Sequence, residues 1–207
     1  SYAMLFFSNK KFFAIIVLLS SFINPYTGLA GLIATFIAAL SAYFIGFSRE
    51  KVKTGLFIYS GFLAGLGMGT FYEFSLGFWI LLLLASVLSV MLSAAFIAKL
   101  GRSGLPALSL AFIFTLWVVI LSSREFAAIG LTQRNIYWLN EMYATGGPDL
   151  IRFVQWLEDL QLPDAVRGFL LSLSAILFQS NIAAGILLTI GLLFFSRIAL
   201  TLMVSGY

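Results

Sequence analysis

The sequence contains no cysteine and no histidine among its 207 residues. Without a thiolate or an imidazole, disulfides, thiol nucleophiles, histidine bases and zinc or haem sites of the Cys/His type are excluded. Charge is also scarce, because Asp, Glu, Lys and Arg make up 10% of the chain. No paired acid and base, phosphate-binding loop or dinucleotide fingerprint is present. We therefore predict a protein that is not an enzyme and that needs no cofactor or metal.

Apolar residues are present in large excess. They account for 61% of the chain, with 22 phenylalanines, and the mean hydropathy is +1.05. This composition excludes an ordinary soluble globule, and it excludes disorder as well. The net charge of +4 is explained by basic clusters on one side of a membrane, so we expect no nucleic-acid partner. The expected surroundings are a lipid bilayer.

The charged residues occur in clusters, and the segments between the clusters are candidate membrane spans. These charge-free segments run over Phe12–Ser48, Thr54–Tyr72, Phe74–Ala98, Ser103–Ser123 and Gly168–Ser196. About 20 apolar residues cross a bilayer as a helix, and each segment is near that length or longer. Asn24-Pro25 divides the first segment, because proline lacks an N–H and biases the preceding residue away from the helix. We predict an all-α, multi-span integral membrane bundle.

The distribution of Lys and Arg predicts the orientation of this bundle. Three basic clusters fall at alternate ends of the predicted spans: Lys10/Lys11, Arg49/Lys51/Lys53 and Lys99/Arg102. Cytoplasmic loops carry the excess of positive charge, so these clusters and the N-terminus are predicted to be cytoplasmic. We expect the protein in the inner (plasma) membrane of a bacterial cell.

The largest polar segment covers residues 124–167 and is predicted to be extracytoplasmic. Within it, residues 149–160 place apolar side chains at helical spacing. Such a pattern, with Trp156 and Trp138 nearby, predicts a helix lying at the membrane interface.

Two glycine-rich segments interrupt the expected pattern of plain spans. Irregular backbone at membrane depth requires burial in protein or a wet cavity. For Gly55–Gly69 the alternatives are such a site or close helix packing through Gly61, Gly65 and Gly69. For Gly101–Phe112 they are an ordinary helix start near Pro106 or a half-helix that turns its free backbone groups toward a permeation path.

A weak internal repeat is also present. Phe7-Ser8-Asn9 precedes one apolar run, and Gln179-Ser180-Asn181 precedes another. The predicted topology starts the first copy inside and the second outside, so the two copies are inverted. Inverted repeats around a site at the membrane midplane are a common plan of transporters.

Four elements, in order, resemble signatures of the urea transporter family. They are Asn24-Pro25 with Gly28, Tyr59–Leu66, Leu105–Phe112 followed by Trp117, and Arg167-Gly168 followed by Leu177–Asn181. The resemblance implies re-entrant half-helices within an inverted-repeat architecture. It implies 4–123 as the first membrane repeat, 124–167 as the extracytoplasmic segment and 168–207 as the start of the second repeat. We therefore expect an incomplete chain.

The same resemblance implies a passive, channel-like conduit for urea or a related small neutral amide, in a dimer or trimer of identical chains. In this family, hydroxyl and carbonyl oxygens accept the amide protons and phenylalanine rings flank the planar solute. Carried over by position, the expected pore residues are Gln179, Ser109, Phe112, Leu105, Pro106, Tyr59 and Ser60.

The sequence departs from the family pattern at four positions. Phe7 stands where glutamine is expected, Ser60 where asparagine is expected, Ser109 in place of threonine and Ala111 in place of proline. Ser109 keeps a hydroxyl, whereas Phe7 cannot accept a hydrogen bond. These departures keep an alternative open, a membrane-embedded scaffold or sensor module joined to a soluble domain beyond residue 207.

Overall fold

The computed structural model describes residues 11–47, 57–104, 109–123, 129–131, 162–179 and 181–195, and single positions at 55, 148, 152, 155, 156, 159 and 201. Regular structure in these ranges is helical, apart from one isolated antiparallel bridge between Tyr72 and Leu131. The helices are α1 (Lys11–Ser21), α2 (Pro25–Phe44), α3 (Tyr59–Phe71), α4 (Leu76–Gly101), α5 (Leu110–Ser123), α6 (Asp164–Ala175) and α7 (Ile182–Phe195).

The all-α prediction is confirmed over the described residues. Helix α2, with 20 residues, and helix α4, with 26, are long and apolar enough to cross a membrane. Helix α5 and the stretch 182–194 of α7 are shorter apolar helices. The predicted re-entrant half-helices and the inverted repeat stay predictions. The interfacial helix predicted at 149–160 lies mostly outside the described residues.

The predicted interruption at Asn24-Pro25 is confirmed. Helix α1 ends at Ser21, and α2 begins at Pro25 itself. Proline suits the first position of a helix, because the first N–H groups have no partner within the helix and its φ angle is already helical.

The chain forms two compact units. Among the described residues, the first unit contains α2 from Tyr26 onward together with α3, α4 and α5, and the second contains α1, Pro25, α6 and α7. The predicted repeat boundaries, at 123/124 and 167/168, concern an internal symmetry of the chain. A division into compact units does not test them, so they stay a prediction.

In the first unit, α3 packs against α2 through small residues on both helices. A Cβ atom added to Gly61 would lie 2.7 Å from the Cβ of Ala38, and one added to Gly69 would lie 2.7 Å from the Cβ of Ala30. Between them, Gly65 sits against Ala34. Of the two alternatives for the glycines, close packing is confirmed for the helical residues of α3.

Helices α4 and α5 complete the core of this unit. The buried side chains that form it are Ala30, Ala34, Met68, Tyr72, Phe78, Leu81, Leu82, Ala85 and Val119. The N-terminus of α4 is capped by Ser75, whose Oγ accepts a hydrogen bond from the backbone N–H of Phe78 at 3.1 Å. At the same end of the unit, the Tyr72 hydroxyl forms a 2.8 Å hydrogen bond with Ser123 Oγ.

Large apolar side chains also point outward from the described helices. They include Phe36 and Phe44 of α2, Leu76 and Leu84 of α4, Trp117 and Leu121 of α5, and Phe194 of α7. Exposure on this scale is uncommon in a soluble monomer and is expected where lipid covers the surface.

In the second unit, α6 and α7 form a tight helical hairpin. Gly185 of α7 lies so close to the carbonyl group of Leu170 in α6 that no side chain fits there. Helix α1 packs against α7 and contributes the buried residues Ile16 and Val17. The hairpin turn between α6 and α7 carries Gln179, the strongest predicted site residue.

Candidate functional site

The turn after α6 has the hydrogen bonds of a Schellman motif. The backbone N–H of Gln179 donates to the carbonyl oxygen of Ser174 at 3.1 Å, and the N–H of Phe178 donates to that of Ala175 at 2.9 Å. These two bonds satisfy carbonyls at the end of α6 and stop the helix. The turn therefore has one defined backbone path.

Phe178 occupies the left-handed position of this motif, with φ of 56°. Glycine is the usual residue there, because a Cβ atom makes this conformation unfavourable. A non-glycine residue held in this region costs on the order of 1–3 kcal/mol and is most common at functional sites. The strain places the turn among the candidates for such a site.

Two polar side chains hold the turn on either side of Gln179. Ser174 Oγ donates to the carbonyl oxygen of Gln179 at 2.9 Å. Asn181 Oδ1 accepts a hydrogen bond from the N–H of Ala184 at 2.7 Å, which makes Asn181 the N-cap of α7. The backbone of Gln179 is thus bonded at both its N–H and its carbonyl group.

The side chain of Gln179 is 3% exposed, and its amide nitrogen donates to the carbonyl oxygen of Ser21 at 3.3 Å. A backbone carbonyl can only accept, so this contact fixes which end of the amide is nitrogen. The amide oxygen Oε1 therefore faces away from Ser21. Within the part of the chain that the structure describes, Oε1 accepts no hydrogen bond. The turn therefore holds an oriented acceptor on a buried side chain.

The predicted residues Tyr59 and Ser60 lie in the first unit, at the start of α3. Ser60 is fully buried, and its Oγ accepts a hydrogen bond from Ser93 Oγ of α4 at 3.0 Å. The Tyr59 hydroxyl forms a side-chain hydrogen bond with Ser60. The structure thus brings these two residues together with Ser93 in one hydroxyl cluster.

The predicted residues Ser109 and Phe112 lie at the start of α5, and both are half-buried. The carbonyl oxygen of Ser109 accepts the N–H of Ile113 at 3.1 Å, so Ser109 is the residue from which the helix starts. Leu105 and Pro106 lie outside the described residues. Both alternatives for Gly101–Phe112, a half-helix and an ordinary helix start, therefore stay open.

Sequence reasoning missed three residues that shape these sites: Ser21, Ser93 and Ser174. Ser93 had a usable signal, because Ser86, Ser89 and Ser93 share one face of α4 by their spacing, and all three are buried. Ser21 and Ser174 act on Gln179 through the fold, and no local pattern marks them.

Ligands for a metal ion do not come together in the described ranges, where no group of three acidic side chains occurs. The chemistry available at both sites is hydrogen bonding by neutral hydroxyl and amide groups within apolar surroundings. In a comparison with family models, the model described as "Urea transporter" matches residues 1–207.

Proposed function

Because the chain belongs to the urea transporter family, whose members are membrane transporters rather than enzymes, we propose that it conducts urea as a passive channel. The proposal extends to related small neutral amides. Residues Gln179, Ser109, Phe112, Tyr59 and Ser60 are the proposed pore residues, together with Leu105 and Pro106 by their position in the family motif.

The observation that carries this proposal is the burial and fixed orientation of the Gln179 side-chain amide. Urea is planar, neutral and rich in N–H groups, and it loses hydration when it enters an apolar passage. An acceptor that is already buried and oriented replaces part of that hydration without further ordering. Gln179 Oε1 belongs to a buried side chain and is oriented, since the amide nitrogen is bonded to the carbonyl oxygen of Ser21.

The electrostatics of the described residues support passage of a neutral solute. No Asp, Glu, Lys or Arg side chain is buried among them. Proton and sodium-coupled carriers use ionisable groups inside the membrane, and a desolvated ion needs such groups for compensation. A passage built from hydroxyl, amide and apolar groups favours uncoupled movement of urea and disfavours ions.

We propose further that the protein is a homodimer or homotrimer in a bacterial inner membrane, with its N-terminus in the cytoplasm. The basic clusters support this orientation. The mass of the detergent-solubilised complex tests the oligomer. Labelling of single cysteines introduced at positions 10 and 73 in sealed vesicles tests the orientation, because the two should react from opposite sides.

Urea flux into vesicles tests the function. The native full-length protein is reconstituted into liposomes, and urea entry is followed by light scattering after rapid mixing. We expect entry well above that of protein-free vesicles, unaffected by a proton or sodium gradient. Entry equal to that of protein-free vesicles would contradict the channel and favour the scaffold or sensor alternative.

A further inference from the structure

Ser20, in the last turn of α1, has a buried hydroxyl group without a hydrogen-bond partner. Its exposure is 0%, and Ser20 Oγ is the one side-chain oxygen or nitrogen in the described part of the chain that is both fully buried and unpaired. A buried polar group left unpaired is unfavourable, and each such case in a folded protein calls for an explanation.

The other buried hydroxyls of the described chain make the case of Ser20 distinctive. Those that have partners belong to Ser21, Thr27, Ser60, Thr70, Ser86, Ser89, Ser93, Thr115 and Ser174. Several donate to a carbonyl three or four residues earlier in their own helix. Ser21 does so to Leu18 at 2.7 Å. A helical serine can reach such a carbonyl by rotation about its Cα–Cβ bond. The helical backbone therefore does not prevent the Ser20 hydroxyl from pairing.

Ser20 is also next to the residue that holds Gln179. The carbonyl group of Ser21 accepts the Gln179 amide nitrogen, and Ser20 directly precedes Ser21 in α1. Ser20 Oγ and Gln179 Oε1 do not bond to each other. The end of α1 thus carries a buried hydroxyl without a partner, one residue before the carbonyl group that orients the Gln179 amide.

We propose that Ser20 is a solute-binding residue and that its hydroxyl donates a hydrogen bond to the carbonyl oxygen of the conducted amide. Gln179 Oε1 can only accept, so it takes an N–H of the same molecule. Together they recognise a solute that carries both an N–H and a carbonyl group. This inference rests on the proposed function and adds to it a contact with the solute oxygen.

Ser86 of α4 supplies a matched control for Ser20. Both are buried helical serines, but the Ser86 hydroxyl is already paired with the carbonyl oxygen of Leu82 at 2.7 Å. Urea flux and the melting temperature in detergent are measured for the native full-length protein, for Ser20→Ala and for Ser86→Ala. We expect Ser20→Ala to lower urea permeability about tenfold, the value of one net hydrogen bond. Its melting temperature should stay equal or rise, because an unpaired group is removed and alanine favours the helix. Ser86→Ala should keep its urea permeability within about twofold, since its hydroxyl is satisfied within its own helix.

Each other result counts against the proposal. Equal permeability of Ser20→Ala and the native protein overturns the assignment of Ser20 while leaving urea conduction intact. Equal losses in both variants, or failure of Ser20→Ala to fold, mark Ser20 as a structural residue. A native protein without urea flux overturns this inference together with the proposed function.

Discussion

The side-chain nitrogen of Gln179 donates to the carbonyl oxygen of Ser21 at 3.3 Å, although 158 positions separate the two residues in the sequence. The bond joins the hairpin turn between α6 and α7 to the C-terminal end of α1. It leaves the amide oxygen of Gln179 without a hydrogen-bond partner among the described residues.

Replacement of Gln179 by leucine should remove both the acceptor and the bond to Ser21. We expect urea permeability to fall at least tenfold and the free energy of unfolding to drop by about 1–3 kcal/mol, because the buried Ser21 carbonyl loses this partner. Flux in liposomes and thermal unfolding in detergent measure the two effects. Gln155, which is exposed, is the control, and Gln155→Ala should change neither quantity. Normal urea flux through Gln179→Leu would contradict the assigned role.

Phe178 allows the strain of the turn to be measured. Alanine and glycine at position 178 both remove the ring, but only glycine adopts a φ of 56° without steric cost. We expect Phe178→Gly to be more stable than Phe178→Ala by about 1 kcal/mol. Both variants lose the ring contacts of Phe178, so the difference between their stabilities reports mainly the cost of the left-handed backbone conformation. Equal stabilities would show that the left-handed conformation carries no strain.

Gly65 should tolerate no larger residue. An added Cβ would meet Ala34, the carbonyl oxygen of Ala30 at 2.7 Å and the Cα of Gly31 at 3.0 Å, and the last two are backbone atoms that cannot turn aside. We expect Gly65→Ala to lower the free energy of unfolding by about 1–3 kcal/mol or to prevent folding. Gly101→Ala is the matched control, because nothing lies within 4 Å of its added Cβ. That variant should be neutral or slightly stabilising in the same unfolding measurement, since alanine favours the helix.

Ser60 and Ser93 should be energetically coupled. Ser93→Ala leaves Ser60 without the hydrogen bond donated by Ser93, and Ser60→Ala leaves the Ser93 hydroxyl without its acceptor. Each single change should cost about 1–2 kcal/mol, and the double change should cost less than the sum. A double-mutant cycle of thermal unfolding measures the coupling. Strict additivity would indicate that the two hydroxyls do not depend on each other.

The features that follow from local chemistry could be predicted from the sequence. The helix break at Pro25 follows from the missing N–H and the fixed φ of proline, and the long apolar spans follow from the spacing of charges. The sequence left the glycines of α3 ambiguous, because their role depends on the alanines of α2 that face them. Gln179 was found by its resemblance to a family motif, but its partner Ser21 was not, since only the fold brings the two together.

The conformation of Phe178 and the unpaired hydroxyl of Ser20 were beyond prediction for a different reason. Local preference puts glycine at a left-handed position, and it pairs a helical serine with its own backbone. Both residues depart from these preferences, so reasoning from preference assigns them the wrong state. Such departures are expected where function rather than stability sets the local structure.

The packed interface between α2 and α3 also limits the movement of water and protons. At Gly61, Gly65 and Gly69 it has no room for a methyl group, and a water molecule is of similar size. A file of waters, along which protons hop, therefore cannot form there. The interface between α2 and α3 is therefore dry, and neither water nor protons can move along it.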